Sequence, residues 1–239
     1  MPKLGERRWR FVREVGSVVL GVLIALGIGE IAETVRWQWR LSVSREAMRA
    51  ELSANRRNAV ERLTYQPCLE RRLAAIGAIL AETRRTYRLP RVGPIGGPGR
   101  RVSEHTALEV ATGEGVFLHM PRGEAREIAA LYKMAVTYYE EEVVPEQEAW
   151  ARLRLIENAP GPIDSDLLAS LLEAWAEANN RAMWIGRIAQ QNDEGLGAFG
   201  VPVEAMEGEA DLAAFRRETL QRPICKPLTV DGKPFAAPG

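Results

Sequence analysis

The chain has 239 residues, equal numbers of acidic and basic side chains (32 each) and 46% hydrophobic residues. This length and composition are typical of a folded protein with one domain or two small ones. The formal net charge is zero, with no basic face after the N-terminal segment, which excludes the electrostatic signature of a nucleic-acid-binding protein. We therefore expect no nucleic-acid partner.

The N-terminus contains the clearest signal. Residues 15–29 carry no charge, and the segment before them holds five basic side chains: Lys3, Arg7, Arg8, Arg10 and Arg13. An uncharged helix of this length covers only about 22 Å of a hydrocarbon core about 30 Å thick. Flanking apolar residues and long arginine stems extend the segment to spanning length. We predict a cytoplasmic basic segment (1–14) and a transmembrane helix (15–32).

The distribution of charge around this helix predicts its orientation. Basic residues accumulate on the cytoplasmic side of a membrane, and the first charges after the apolar run are Glu30 and Glu33. We expect a bacterial inner-membrane protein with a cytoplasmic N-terminus, a periplasmic helical bundle (33–221) and a Pro-rich C-terminal tail (222–239). A cleaved signal peptide has the same order of basic and apolar regions, so a secreted soluble helical protein stays an alternative.

Small residues recur every fourth position in the predicted span, at Ser17, Gly21, Ala25 and Gly29. Such a stripe lets two helix backbones approach closely in lipid, where packing drives association. It predicts a homo-oligomer formed through the transmembrane helix. The alternative is that glycine and alanine are simply common in membrane helices.

The chain has two cysteines: Cys68 directly follows Pro67, and Cys225 lies two residues from Pro223 and from Pro227. In an oxidising periplasm an isolated pair usually joins, so we predict a disulfide that ties the C-terminal tail to the start of a helix. A catalytic Cys68 is an alternative, but no histidine lies near it in sequence to act as its base. Free structural thiols are the third interpretation.

Helical periodicity dominates the next part of the chain, and no strand is predicted. The first helix is expected to leave the membrane and continue to about Leu63, with Met48, Leu52, Asn55 and Ala59 on one face. The sequence Tyr65-Gln-Pro-Cys is expected to break it. A second helix follows with coiled-coil-like spacing, at Leu69, Leu73, Ile76, Leu80 and Tyr87. It ends at the proline- and glycine-rich segment 89–99.

The second half of the chain also predicts helices. A short one is expected at 104–111, and Pro121 is placed to open a long helix that Pro145 kinks or breaks. Asp164 or Ser165 is expected to cap the clearest helix. Its apolar stripe is Leu168, Leu171, Trp175, Ala178, Ala182, Ile185 and Ala189. A last helix is predicted near 202–221. The predicted fold is all-α, with the N-terminal transmembrane helix continuing into a helical bundle with coiled-coil-like packing.

Three fragments resemble chemical motifs, and each has a simpler explanation. Residues 195–200 match the dinucleotide fingerprint, but they follow a helix rather than a strand, which favours a flexible turn. His105 and His119 lack the i, i+4 spacing of a helical metal-binding pair. The consecutive carboxylates at 140–142 point in different directions on a helix. We therefore predict no catalytic residue, no cofactor and no metal site, and we expect that the protein is not an enzyme.

Two segments resemble a known group of proteins. Residues 10–27, Arg-Phe-Val-Arg-Glu-Val-Gly-Ser-Val-Val-Leu-Gly-Val-Leu-Ile-Ala-Leu-Gly, resemble the start of an uncharacterised family of single-pass bacterial membrane proteins with a Gly-Val-Leu-Ile-Ala-Leu anchor. Residues 107–132, with Ala-Thr-Gly-Glu-Gly, His-Met-Pro and Ala-Leu-Tyr pieces, are similar to the helical region of proteobacterial members. The resemblance implies a membrane anchor with a helical extracytoplasmic domain, and it supplies no catalytic residues.

Three functional hypotheses follow. The first, which we predict, is a non-catalytic interaction or scaffold module that is anchored in the lipid bilayer and binds an unidentified protein partner. The second is a sensor-like, ligand-binding bundle, which requires a pocket between helices lined by Tyr132, Tyr138, Trp150, Trp175 or Trp184. The third is an enzyme, which requires His105 and His119 to converge with carboxylates in one cleft.

Overall fold

The computed structural model describes residues 4–235, except for the side chains of 4–8, 10–12, 137, 138 and 140. One helix is far longer than the others. The helices are α1 (Leu4–Thr86), α2 (Thr106–Gly113), α3 (Val116–His119), α4 (Arg122–Tyr132), α5 (Tyr138–Leu153), α6 (Leu155–Asn158), α7 (Ser165–Ala198) and α8 (Glu209–Thr219). The predicted all-α fold is confirmed.

Two very short antiparallel pairs of strands accompany the helices, although no strand was predicted. They are β1 (Arg88–Leu89) with β2 (Gly161–Pro162), and β3 (Leu228–Val230) with β4 (Lys233–Phe235). Strands of two or three residues are too short to produce a two-residue hydrophobic period, which explains why the sequence does not reveal them.

The expected break at Tyr65-Gln-Pro-Cys does not exist, and that prediction was wrong. α1 continues through Pro67 to Thr86. Pro67 is exposed, whereas its neighbours Tyr65 and Cys68 are buried. Proline removes the N–H that would bind the carbonyl of residue 63, and its ring needs space beside the preceding turn. Because the ring lies on the solvent side of α1, both requirements are met without disturbing the packed side.

α7 lies against α1 through a face of small residues. Of the predicted stripe, six members are buried and Trp175 is partly buried. The Trp175 indole N–H donates to the carbonyl oxygen of Leu73 at 2.8 Å, and the ring covers Gly77, where a Cβ atom would lie 2.8 Å from it. Asp164 caps α7, since its Oδ1 accepts from the backbone N–H of Leu167 at 2.7 Å. The helix, its stripe and its cap are therefore confirmed.

Residues 104–132 fold back on α1, and we call this segment the α2–α4 hairpin. Its apolar side chains form a second core with α1: Leu41, Met48, Leu52, Ala111, Val116, Met120 and Leu131. Pro121 precedes α4, as expected. Pro145, however, does not break its helix, since α5 continues to Leu153. The irregularity is instead a π-helical segment, Lys133–Thr137, between α4 and α5.

The C-terminal segment completes the main core. Its 3-10 turn (Pro223–Cys225) and β3 place Ile224 and Leu228 among the buried residues of α1, α5 and α7. Cys225 is joined to Cys68 in α1, with the sulfur atoms 2.03 Å apart, and no described cysteine is free. The last elements of the chain are thus covalently attached to its first helix.

Removing the disulfide is expected to destabilise the domain. The bond spans 157 residues, and the chain-entropy estimate for such a loop is about 4–5 kcal/mol. Cys225→Ser should lower the free energy of unfolding by that order, measured by urea denaturation in detergent with far-UV circular dichroism. The double variant C68S/C225S should match the single variant. Equal stability of the wild type and C225S would contradict the expectation.

Candidate functional site

The large apolar side chains between Val15 and Ile31 are all exposed, by 45% to 67%. The most hydrophobic window of α1 has a mean hydropathy of 2.2, and none of it is buried. α1 is therefore one helix that is long and apolar enough to cross a membrane, and a signal sequence satisfies the same test. Within this segment a Cβ atom added to Gly21 or Gly29 would meet nothing within 4 Å, so the small-residue stripe is open.

Contact between α1 and the rest of the domain begins just after this segment. The Trp37 ring stacks on His119 of α3, with 3.6 Å between ring centroids. Among the described side chains of α1, Leu41 is the first apolar one that is buried. From there a single stripe of buried residues continues along α1 with alternating four- and three-residue spacing. This α1 stripe is Met48, Leu52, Asn55, Ala59, Arg62, Gln66, Leu69, Leu73, Ile76 and Leu80.

Polar residues in and beside the α1 stripe bind the α2–α4 hairpin. The Asn55 amide donates to the carbonyl oxygen of Glu104 at 2.8 Å and accepts from its N–H at 2.9 Å. Glu51 accepts from the N–H of Ala107 at 3.0 Å and from the Tyr132 hydroxyl at 2.6 Å. Burial, together with this bond to a carboxylate, raises the pKa of Tyr132 above its usual range. These bonds fix the position of the hairpin along α1.

A fully buried ion pair lies at the centre of the bundle. The Arg62 guanidinium donates two hydrogen bonds to the Glu146 carboxylate, at 2.8 and 2.7 Å, and both side chains are 1% exposed. Arg62 Nε also donates to Gln66, which in turn donates to the carbonyl oxygen of Ala182 in α7. Burial lowers the pKa of Arg62, but the charge and hydrogen bonds of Glu146 outweigh it and raise that pKa. The pair therefore joins α1, α5 and α7 through charged groups.

A second charged cluster lies one position earlier on α1. Glu61, whose side chain is 2% exposed, accepts two hydrogen bonds from Arg101 at 2.7 and 2.9 Å and also pairs with Arg222. The guanidinium carbons of Arg62 and Arg222 lie 5.5 and 5.3 Å from the centre of the Tyr65 ring. Burial raises the pKa of Tyr65 and lowers the pKa of Arg222. The long loop after β1 and the C-terminal segment both meet α1 here.

Arg72 holds the C-terminal segment near the disulfide. Its guanidinium donates to four backbone carbonyls, those of Pro94 (3.0 Å), Ile95 (2.7 Å), Pro223 (3.3 Å) and Lys226 (2.6 Å). Burial lowers the pKa of Arg72. Through these hydrogen bonds, Arg72 attaches both the proline-rich loop and the C-terminal segment to the same turn of α1.

An open cleft of about 970 Å³ lies at the far end of α1, and we call it the distal cleft. It is formed by the end of α1, by β1 and β2, and by the turn between β3 and β4. The lining includes charges of both signs: Glu82, Arg88, Arg91 and Asp231. The Arg91 N–H donates to the Asp231 carboxylate at 3.2 Å, which attaches the β3–β4 turn to the loop after β1.

The two histidines of the enzyme hypothesis lie at different levels of α1. His105 Nε2 pairs with Glu109 at 3.3 Å, beside the contacts of Glu51, whereas His119 stacks on Trp37. At about 1.5 Å per residue, Trp37 and Glu51 are roughly 20 Å apart along the helix. Among the side chains that the structure describes, no group of three His, Cys, Asp or Glu is placed to hold a metal ion.

The other motif-like fragments have structural roles. Residues 195–200 form the end of α7 and the turn after it, rather than a strand–helix junction. Glu142 pairs with Arg181 of α7 at 2.5 Å, and Arg181 also binds Glu177 at 2.7 Å. The Glu140 side chain lies outside the described residues.

The aromatic residues of the sensor hypothesis are dispersed. Trp150 is fully buried, Trp184 is exposed beside Arg187, and the Tyr138 side chain lies outside the described part of the chain. Tyr132 lines an open groove of about 710 Å³ together with Leu108, Phe117 and Val136. The groove belongs to the α2–α4 hairpin rather than to the centre of the bundle.

Arg62 and Gln66 of the α1 stripe were not predicted to be buried. Arginine, glutamine and glutamate are normally surface residues, so Arg62 and Gln66 gave no apolar signal. The spacing alone could have revealed them. The four- and three-residue alternation that ends at Ala59 continues from Leu69 in the same phase, and Arg62 and Gln66 fall on the positions between.

Comparison with protein-family models, with curated proteins and with solved structures finds no match to this chain. The resemblance of residues 10–27 and 107–132 to single-pass membrane proteins stays a prediction.

Breaking the buried ion pair is expected to be costly. Arg62→Met leaves the Glu146 carboxylate buried without its partner, which typically costs about 3–5 kcal/mol. The double variant R62M/E146L should recover most of that loss, because it removes both charges. The measurement is urea unfolding of the full chain in detergent.

Arg85→Gln is the matched control, because Arg85 and Glu82 form an exposed ion pair on the same helix. Exposed pairs contribute roughly 1 kcal/mol or less. If R62M and R85Q lowered the free energy of unfolding equally, the buried ion pair would contribute no more to stability than the exposed pair.

Proposed function

We propose that the chain is a bacterial inner-membrane protein with a cytoplasmic N-terminus, one span at 15–32 and a periplasmic helical domain that acts as a non-catalytic interaction or scaffold module. One observation carries the proposal: the exposed apolar segment and the spine of the domain belong to the same uninterrupted helix, α1. A domain built in this way has no flexible linker between anchor and body.

The length of α1 favours a role in positioning. Between Ile31 and Thr86 the helix extends roughly 80 Å at about 1.5 Å per residue. The distal cleft lies at its far end. A partner bound there would be held at a set distance from the bilayer, which is what a scaffold requires.

The disulfide supports the assignment of compartment. Disulfides such as Cys68–Cys225 persist in oxidising compartments, including the bacterial periplasm. The orientation in which basic residues stay cytoplasmic delivers the domain to that compartment.

The groove beside Tyr132 favours a second candidate, a sensor-like ligand-binding bundle. Its volume of about 710 Å³ falls within the usual range for small-molecule sites, and its lining is largely apolar. A ligand bound there would contact α2, α4 and the π-helical segment together.

The first experiment is the intact mass of the protein from the membrane fraction, after thiol alkylation without reduction. We expect the full-length mass and no alkyl adduct, because the anchor is retained and both thiols are bonded. A soluble product that lacks the N-terminal segment would instead support the secreted alternative.

Orientation is tested with C-terminal reporter fusions. Alkaline phosphatase should be active and green fluorescent protein dark, since the former needs the periplasm to form its disulfides. Replacing Arg7, Arg8 and Arg10 with glutamate should reduce or reverse this difference. The opposite reporter pattern in the wild type would overturn the proposed topology.

Self-association through Ser17, Gly21, Ala25 and Gly29 has its own test. Gly21→Ile should weaken energy transfer between labelled chains in vesicles, because a branched side chain prevents close approach of the backbones. Leu23→Ile, on a different face, should not. A wild-type chain that is monomeric in vesicles would contradict the homo-oligomer.

A further inference from the structure

The contacts along α1 show how the α2–α4 hairpin is oriented. Its start lies beside Asn55 and Glu51, since Asn55 binds the backbone of Glu104 and Glu51 binds that of Ala107. Its turn lies closer to the N-terminal apolar segment of α1, where His119 stacks on Trp37. The hairpin therefore descends along α1 toward the apolar segment.

The contacts of α4 with α1 show the same orientation of the hairpin. Arg45 donates two hydrogen bonds to Glu124 at 2.5 and 2.7 Å, and the Tyr132 hydroxyl, which donates to Glu51, lies 3.2 Å from the Met48 carbonyl oxygen. As the residue number rises in α4, the contacted position on α1 also rises. α3 is thus the lowest point of the hairpin, and we call it the tip.

The tip is close to the end of the predicted span. Trp37 follows Glu30 by about 10 Å of helix rise, and the headgroup region on each side of a bilayer is about 5–7 Å thick. A group packed beside Trp37 is therefore near the outer surface of the headgroups. Tryptophans at this depth are typical of membrane interfaces, and Trp39 is also exposed.

The tip presents an apolar side chain outward. Leu118 is 86% exposed, more than any other large apolar residue described. Its neighbours Val116 and Met120 are buried and hold the turn in place, while Gly115, with φ of +71°, permits the sharp reversal into α3. Leu118 is therefore an apolar side chain on a well-packed turn, with no protein surface to cover it among the described residues.

We propose that the tip is a second membrane contact, in which Leu118 inserts into the headgroup region of the same bilayer that α1 crosses. The proposal rests on the proposed function, because it needs the span. The group that covers Leu118 is lipid, because the packing of the tip against Trp37 makes the tip continuous with the membrane-spanning surface of α1. Two cations lie on α1 at this level, Arg36, which pairs with Glu33 at 3.1 Å, and Arg40, whose guanidinium carbon lies 5.1 Å from the centre of the Trp37 ring, and arginine suits the phosphates of lipid headgroups.

The test uses full-length protein in phosphatidylethanolamine–phosphatidylglycerol vesicles, labelled with the environment-sensitive dye NBD at one introduced cysteine. The positions are Leu118→Cys at the tip, Ile24→Cys in the span and Met183→Cys on the exposed surface of α7. Cys68 and Cys225 are bonded to each other and stay unlabelled, which the intact mass verifies. Quenching is measured with headgroup spin-labelled lipid, acyl-chain spin-labelled lipid and aqueous iodide.

We expect a blue-shifted emission at 118 with strong quenching by the headgroup label, quenching at 24 by the acyl-chain label, and quenching at 183 by iodide alone. Lipid quenching at 24 with iodide quenching alone at 118 would overturn the tip contact and leave the span intact. Iodide quenching at 24 would overturn the span, and the tip contact with it.

Discussion

Buried polar side chains within an apolar stripe fix the register of this domain. Asn55, Arg62 and Gln66 occupy positions of the α1 stripe that leucine or alanine could fill. Each is satisfied by a different element: the α2–α4 hairpin, α5 and α7. A buried polar group left without its partner costs about 1–3 kcal/mol, and a buried charge costs more. Sliding a partner element by one turn would separate it from the polar side chain of α1 that it satisfies, so a single arrangement is favoured.

The close approach of α7 to α1 is the complementary constraint. α7 presents small residues, and Gly186 lies so near the Gln66 amide that a Cβ atom would be 3.0 Å from it. This closeness lets Arg62 and Gln66 reach the carbonyl oxygen of Ala182, which would be out of range across larger side chains. Small residues on α7 and long polar residues on α1 therefore depend on each other.

Much of the fold was predictable, and the errors share a cause. The α7 stripe and its Asp164 cap followed from local rules that the tertiary structure does not override. Pro67 misled the prediction because local rules cannot tell which side of a helix faces solvent. In α1, the half ending at Ala59 and the half beginning at Leu69 belong to one stripe, joined by Arg62 and Gln66. The ion pair with Glu146 was not predictable, since it joins residues 84 positions apart that only tertiary contact brings together.

In the proposed topology, the continuity of α1 between span and domain gives the tip contact a mechanical consequence. Single transmembrane helices tilt by about 20° on average. For a rod of roughly 80 Å, such a tilt moves its far end sideways by about 25–30 Å. A second contact beside the helix resists tilting in the direction that would press or lift the tip, because Leu118 is adjacent to His119, which stacks on Trp37 of α1. The span would then set the height of the distal cleft, and the tip would restrict the direction in which it leans.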